Sequence, residues 1–593
     1  MTDSIEYRVD LHDPAAHRLR VSCRIPSPDP EGQTVSLPAW IPGSYMIRDF
    51  ARNLLALGAR SGGRPVAMAR IDKHTWRAAP TRPGEALELE CEIYAWDLSV
   101  RAAHFDQTHC FLNGTSVFLK PHGHEDAPCL VELVAPRWAG GEGWKVATAM
   151  REARGVPGAA RRHGFGTYQA SNYDELIDHP VEMGDFTLGR FKAAGVAHEV
   201  VITGRHDCDM TRLTEDLTRI CEWQVDLFGR PAPMSRYVFL ATVVGDGYGG
   251  LEHRASTALL ASRKELPFAG MSGCPEDYRR FLGLCSHEYF HSWNVKRIKP
   301  AAFTPYDLSR ECHTTLLWAF EGFTSYYDDL ALVRSGVIGR DDYLSLVGKT
   351  IASVLRGPGR LRQSVADSSF DAWTKYCRQD ENAPNAIVSY YTKGSLIALA
   401  LDLQLRAGSE GARSLDDVMR LLWTRHGEGS GGVPETGVFA VVSEIGGTTL
   451  ARWLRKVVEG TDDLPLARWL KPFGVELVAE PAEAPSLGVA LAGSGREAKL
   501  ANVFNDGPAH QAGLSAGDIL VAIDGLRVTR TTLDGMLARK AAGDRIHVHA
   551  FRRDELMSVD LVLGKPATKG YRLELKPRAT AAQLRLRQGW LGR

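Results

Sequence analysis

Ser286-His287-Glu288-Tyr289-Phe290-His291 is the stretch on which the reading of the whole chain depends. Its surroundings predict a helix over 275–295, where two histidines four residues apart share one face. Both imidazoles can then bind one zinc ion, while Glu288, beside the first, is placed to act as general base towards a water. That is the chemistry of peptide hydrolysis. Catalytic zinc commonly takes three protein ligands and keeps one position open. The candidate third ligand is Glu321, in Leu316-Leu317-Trp318-Ala319-Phe320-Glu321-Gly322-Phe323-Thr324-Ser325-Tyr326-Tyr327, a second helix-like run in which the carboxylate sits among apolar residues. A buried carboxylate is costly, and metal coordination is one of the few ways to offset that cost. His313 is the rival ligand.

Working outward, 593 residues suffice for three or four domains, each with its own core. Lys plus Arg and Asp plus Glu both number 71, so no global basic field points to nucleic acid and no acidic tail to a solvating segment. Ten cysteines are scattered without a C-x-x-C pair, which indicates reduced, mostly buried thiols and not a disulfide scaffold or zinc ribbon. Met1-Thr2-Asp3-Ser4-Ile5-Glu6 has neither a basic nor an apolar signal region, and nowhere do eighteen apolar residues run together. The expectation is a cytoplasmic protein without membrane association.

Residues 1–190 read as a β-rich module, since 6–10, 18–23 and 88–94 alternate between apolar and polar amid many Gly and Pro. Within it, 38–50 and 95–101 hold aromatic anchors and a Pro-Gly turn, which read as packing before substrate contact. Asn113-Gly114-Thr115 matches a glycosylation acceptor that the missing secretory signal discounts. From Asp209 a helical period runs through Leu213, Leu217, Ile220, Trp223 and Leu227 to Gly229, and Tyr237 to Val244 suits a strand. Gly245 to His253 follows, glycine-rich enough for backbone to approach a ligand closely. Near Pro481-Ala482-Glu483-Ala484-Pro485 a linker is expected. The end of the chain, 576–593, is a basic, mildly amphipathic tail that reads as a solvated or docked short helix.

Glu-Gly-Phe-Thr-Ser-Tyr after an H-E-x-x-H helix resembles the zinc aminopeptidase clan with a glutamate third ligand, which includes aminopeptidase N. The 29 residues from 292 to 320 are a longer spacer than in those relatives and fit a narrower group, the glycyl aminopeptidase family. Segments 38–50 and 95–101 are similar to signatures of its N-terminal domain. Gly249-Gly250-Leu251-Glu252-His253 resembles the clan's Gly-x-Met-Glu-Asn, which implies that Glu252 holds the substrate's α-ammonium beside Gly249 and Gly250; His253 departs from asparagine. Tyr391-Thr392-Lys393-Gly394 looks like the Tyr-x-Lys-Gly element, whose tyrosine donates to the oxyanion, with Tyr390 adjacent as the alternative donor. Ser486 to Leu491, Val503 to Ala509, Ala512 to Leu514 and Gly517 to Gly525 together resemble a PDZ domain of bacterial protease type, with Leu487, Gly488 and Val489 in its carboxylate-binding loop. PDZ domains take peptide C-termini as an added strand.

The resemblance implies a multidomain α+β protein: a β-rich domain over 1–190, a thermolysin-like catalytic domain over 191–480, mixed α/β and then mainly helical, and a PDZ domain over 484–575. It also implies one zinc per chain on His287, His291 and Glu321, and removal of small N-terminal residues, glycine or alanine, from peptides with a free N-terminus. Two alternatives stand beside this reading, a PDZ-directed zinc endopeptidase and a non-catalytic PDZ peptide-binding scaffold.

Overall fold

Alternation carries the first module. Ile5, Tyr7, Val9 and Leu11 are buried on one face of β1 (Ile5–Asp13), as are Leu19, Val21, Cys23 and Ile25 on β2 (Arg18–Ile25). With β3 (Leu87–Tyr94) and β4 (Cys129–Leu133) they form the middle of an eight-stranded sheet in the order β4-β1-β2-β3, where only the β4 to β1 pairing is parallel. The computed structural model describes residues 4–138, 140–427, 429 and 431–592. They divide into two compact units: 1–312 with 335–338 and 423–432, and 313–334 with 339–422 and 433–593.

The first unit continues with a five-stranded sheet built from β5 (Phe186–Ala193), β6 (Val196–Thr203), β7 (Arg236–Val244), β8 (Tyr248–Glu252) and β9 (Ser256–Ser262). The order is β5-β6-β7-β9-β8, and β7 lies between two parallel neighbours. A strand covered on both faces needs an apolar run, which Tyr237 to Ala241 provides. The glycine-rich segment is therefore the edge strand β8, antiparallel to β9. Helix α1 (Met210–Phe228) starts at Asp209, whose side chain accepts from the Arg212 N–H at 3.0 Å, and stops at Gly229 with φ 96°.

Helix α2 (Glu276–Phe290) ends five residues before the limit the sequence suggests. His291 is its C-cap, and the chain then turns through Val295, which has φ 108°. This turn brings the Asn294 carbonyl to the His291 ring, where Nδ1 donates to it at 2.7 Å. Left-handed backbone at a β-branched residue is strained, and here it accompanies the orientation of the His291 ring.

In the second unit, α3 (Leu317–Arg334), α4 (Arg340–Arg356) and α5 (Thr392–Gly408) pack around a helical core. Gly322 on α3 and Gly394 on α5 let these helices meet backbone to backbone; a Cβ on Gly322 would lie 2.6 Å from the Gly394 Cα. Strand β10 (Val475–Pro481) leads to the PDZ sheet, in which β11 (Val489–Leu491) is the edge strand beside β12 (Ala498–Val503). The chain leaves through β13 (Thr568–Leu575), paired antiparallel with β10, so the PDZ domain enters and exits on neighbouring strands. The terminal segment is docked: in α6 (Ala581–Leu591) Trp590 is fully buried, and the Arg587 guanidinium donates to the Phe473 and Gly474 carbonyls at 3.0 and 2.8 Å.

All ten cysteines are unbridged. Asn113 is buried, donating to the Val100 carbonyl at 2.6 Å, so no glycan can reach it. No helix among the described residues is long and apolar enough to cross a membrane.

Candidate metal-dependent active site

Helix α2 is fixed from beneath before it presents its ligands. Gln224 on α1 donates to the Ser286 carbonyl at 2.9 Å and its hydroxyl at 2.8 Å, and His198 on β6 is 3.0 Å from the Tyr289 hydroxyl. Burial drives the His198 imidazole down to about 4, so it is a neutral structural partner. On the other face, His287 and His291 turn their Nε2 atoms to within 3.1 Å of each other. Two nitrogens about 2.0–2.1 Å from a tetrahedral zinc are themselves about 3.3 Å apart, so this pair fits such an ion. The Asn294 carbonyl fixes the protonated nitrogen of His291 and leaves Nε2 for metal.

Glu288, Glu252 and His291 bring ligand atoms within 4.8 Å of one another, and all three are buried. Two carboxylates so close repel unless a positive charge lies between them. Gly250 makes room for the pair, since a Cβ there would overlap the Glu288 carboxylate. Gly250→Ala should therefore displace the base and lower kcat by about 10²-fold with little change in the unfolding midpoint; kcat within threefold of the parent would show that Glu288 is less constrained than this. Gly249 lies near Arg101, whose guanidinium donates to the Gly250 carbonyl at 3.4 Å. The turn at Gly43, with φ 93°, presses on the Glu252 carboxylate in the same way, while Trp40, Ile41 and Tyr45 around it are buried. Segment 38–50 thus packs through its aromatic residues and reaches the site through its glycine.

Sequence reasoning gave no role to Asp178. It is buried, 2.7 Å from the Lys296 Nζ, 3.3 Å from the His253 Nδ1, and accepts from the Arg254 N–H at 2.9 Å. Burial by itself would raise this carboxyl, but Lys296 and Arg254, with His253, hold it well below the usual carboxylate range. It joins the residues after Glu252 to the turn after His291, and so accounts for a histidine at 253. A depressed folded value means that its stabilisation is present above the ordinary carboxylate range, near pH 4, and fades as pH falls below that. Asp178→Asn should cost about 3–5 kcal/mol at pH 7 by stranding buried Lys296, and less at pH 3. Urea unfolding at both pH values checks this; equal losses would exclude the ionised form as the source.

In the second unit Glu321 is 2 % exposed on α3, and the Gly322 to Gly394 crossing sets it beside the tyrosine segment. Tyr390 is fully buried, with its ring 4.7 Å from that of Tyr391 and 4.5 Å from that of Tyr376. Tyr391, the N-cap of α5, is half-buried, so its phenol is the more accessible of the two. His313, the rival ligand, is exposed, and its Nδ1 donates to the Phe370 carbonyl at 3.0 Å. Leu487 and Gly488, with φ 73° at Gly488, lead into β11, which Val489 begins.

A sheet-backed helix that turns two imidazoles towards each other, with a buried carboxylate beside one of them, is the arrangement of a metallopeptidase. Residues 6–185 match the profile of the Peptidase M61 N-terminal domain, 280–397 that of the M61 glycyl aminopeptidase and 485–563 that of the PDZ domain. The chain is similar along 99% of its length to the whole of an aminopeptidase N family protein from Idiomarina loihiensis, at 42% identity and a TM-score of 0.93. It belongs to the M61 glycyl aminopeptidase family. An M1 zinc metallopeptidase from Deinococcus radiodurans shares the fold over 78% of this chain and 95% of its own, at 15% identity and a TM-score of 0.50. No curated protein matches the chain.

Proposed function

We propose that this protein is a zinc aminopeptidase that removes small N-terminal residues from peptides, with one zinc held by His287, His291 and Glu321. The observation that carries the reading is the group of Glu252, Glu288 and His291 within 4.8 Å, a general base and an anionic anchor beside a metal ligand. When bound, zinc supplies Lewis-acid polarisation of the scissile carbonyl and of a water. Glu288 takes the proton of the attacking water and passes it to the leaving amine. Glu252 accepts hydrogen bonds from the substrate's α-ammonium, so the bond that reaches Glu288 is the first of the peptide. The Tyr391 hydroxyl, a neutral donor, would stabilise the oxyanion as charge develops, the role the Tyr-x-Lys-Gly resemblance implies. Its greater accessibility supports it over Tyr390. Preference for glycine or alanine rests on family membership.

The PDZ domain offers Leu487, Gly488 and Val489 to the carboxylate of a peptide C-terminus, with β11 as the edge for an added strand. The reading is tested by cleavage of glycyl- and alanyl-p-nitroanilide beside their N-acetylated forms and a longer blocked peptide, with and without a zinc chelator. Chelator-sensitive release from free amines alone is expected. Cleavage of blocked or internal bonds would instead mark a PDZ-directed endopeptidase, and absence of bound zinc a binding scaffold.

A further inference from the structure

Asn385 is buried where the PDZ domain meets the segment leading to Tyr391, and its side-chain amide is engaged at both ends. Nδ2 donates to the Val503 carbonyl at 2.9 Å and to the Asn382 Oδ1 at 3.2 Å, while Oδ1 accepts from the Asn505 N–H at 2.9 Å. A buried amide satisfied in this way fixes the relative position of two backbones. On the PDZ side, those backbones lie beside the carboxylate loop and are tied to it. Val503 is the cross-strand partner of Val489, the Phe504 N–H donates to the Gly488 carbonyl at 2.9 Å, and the Ala509 N–H donates to the Leu487 carbonyl at 2.9 Å.

From Asn385 towards α5, every few atoms are held. The Ile387 carbonyl lies against Gly359, where no Cβ would fit, and the Val388 N–H donates to the Gln363 Oε1 at 3.2 Å. The Ser389 hydroxyl accepts from the Thr392 N–H at 3.1 Å and is 2.9 Å from the Tyr376 hydroxyl, whose ring stacks on that of Tyr391. Five residues with little slack therefore separate the amide clamp from Tyr391.

We propose that Asn385 is a positioning residue through which the PDZ carboxylate loop sets the placement of the Tyr391 hydroxyl, so that a peptide with a free C-terminal carboxylate bound at that loop raises turnover. This rests on the reading of Tyr391 as the oxyanion donor. The added strand would order β11, and with it Val503 to Asn505, which hold the Asn385 amide. Asn502 supplies a control. Its Nδ2 donates to the Glu381 carbonyl at 2.9 Å, a second tie between the same elements that does not lead into the Val388 to Thr392 chain of contacts.

The experiment is steady-state kinetics of the full-length, zinc-loaded protein on glycyl-p-nitroanilide. Asn385→Ala should lower kcat by about tenfold with KM within about twofold. Asn385→Ala in a Tyr391→Phe background should add nothing, because the two act as one unit. Asn502→Ala should leave kcat unchanged. An N-acetylated hexapeptide ending in a free valine, which is blocked as a substrate, should raise the parent's kcat at least about twofold. Its C-terminal amide should not, and neither should act on Asn385→Ala. Should Asn385→Ala melt early or lose zinc, Asn385→Asp keeps the acceptor for Asn505 and loses the donor to Val503; an intermediate kcat is expected of it. Additive losses in the double variant, or a peptide that leaves the parent unchanged or still activates Asn385→Ala, would overturn the coupling. An undiminished kcat in Tyr391→Phe alone would instead overturn the oxyanion reading beneath it.

Discussion

Glu288→Gln should retain zinc and lose between about 10² and 10⁴ of its kcat, the range a positioned proton acceptor supplies. The amide has the volume of the carboxylate it replaces, so the close packing against the Gly250 backbone is kept. Its two imidazole neighbours are oriented by other groups, His291 by the Asn294 carbonyl and the helix by Gln224, so the metal donors stay where they are. What disappears is the ability to accept the proton of the attacking water. Stability should hold or rise slightly, because a buried charge is removed from beside Glu252. Metal analysis, the unfolding midpoint and kcat measured together decide the matter. Full zinc with kcat within tenfold of the parent would sink the assignment of Glu288 as base, whereas loss of zinc would show that it helps to hold the metal.

The helix bearing this motif is legible in the sequence because its information is local. Two histidines at i and i+4 declare a shared face, as Asp209 and Gly229 declare the ends of α1. The end of α2 is not legible, since Trp293 and Val295 continue an apolar pattern while the need to present the Asn294 carbonyl to His291 stops the helix. The glycine-rich segment after β7 signals only that backbone can approach a ligand closely; its place in an edge strand, where the missing side chain of Gly250 accommodates Glu288, comes from pairing with β9. Gly322 and Gly394 are visible as letters within two motifs, but only the crossing of α3 and α5 gives them a common reason. Asp178 carries no local signal at all. Its partners stand 75 residues away at His253 and farther at Lys296, and a lone Asp after a short helix resembles any surface carboxylate. The sequence leaves the terminal helix open between solvated and docked, because Arg587 and Trp590 find their partners more than a hundred residues back in the chain.

Glu252→Gln should lower kcat/KM on glycyl-p-nitroanilide by about 10²- to 10³-fold, the loss expected when one member of a buried, hydrogen-bonded charge pair is neutralised. Hydrolysis of the N-acetylated analogue, already slow, should barely change. The expected asymmetry follows from the proposed anchor: Glu252 lies at the end of edge strand β8 with the Gly43 turn against its carboxylate, and its ligand atom lies within 4.8 Å of those of Glu288 and His291. pH gives an independent handle on the same contact. An α-amino group deprotonates near pH 8, so the parent's kcat/KM should fall as pH rises through that value and the ammonium is lost. In Glu252→Gln that limb should flatten, because the amide no longer distinguishes ammonium from amine by charge. A glycolyl substrate, with hydroxyl in place of amine, should be cleaved poorly by the parent and lose little further in the variant. If instead free, blocked and hydroxylated substrates all lose equally, Glu252 supports the fold of the site as Asp178 does and is not the amine anchor.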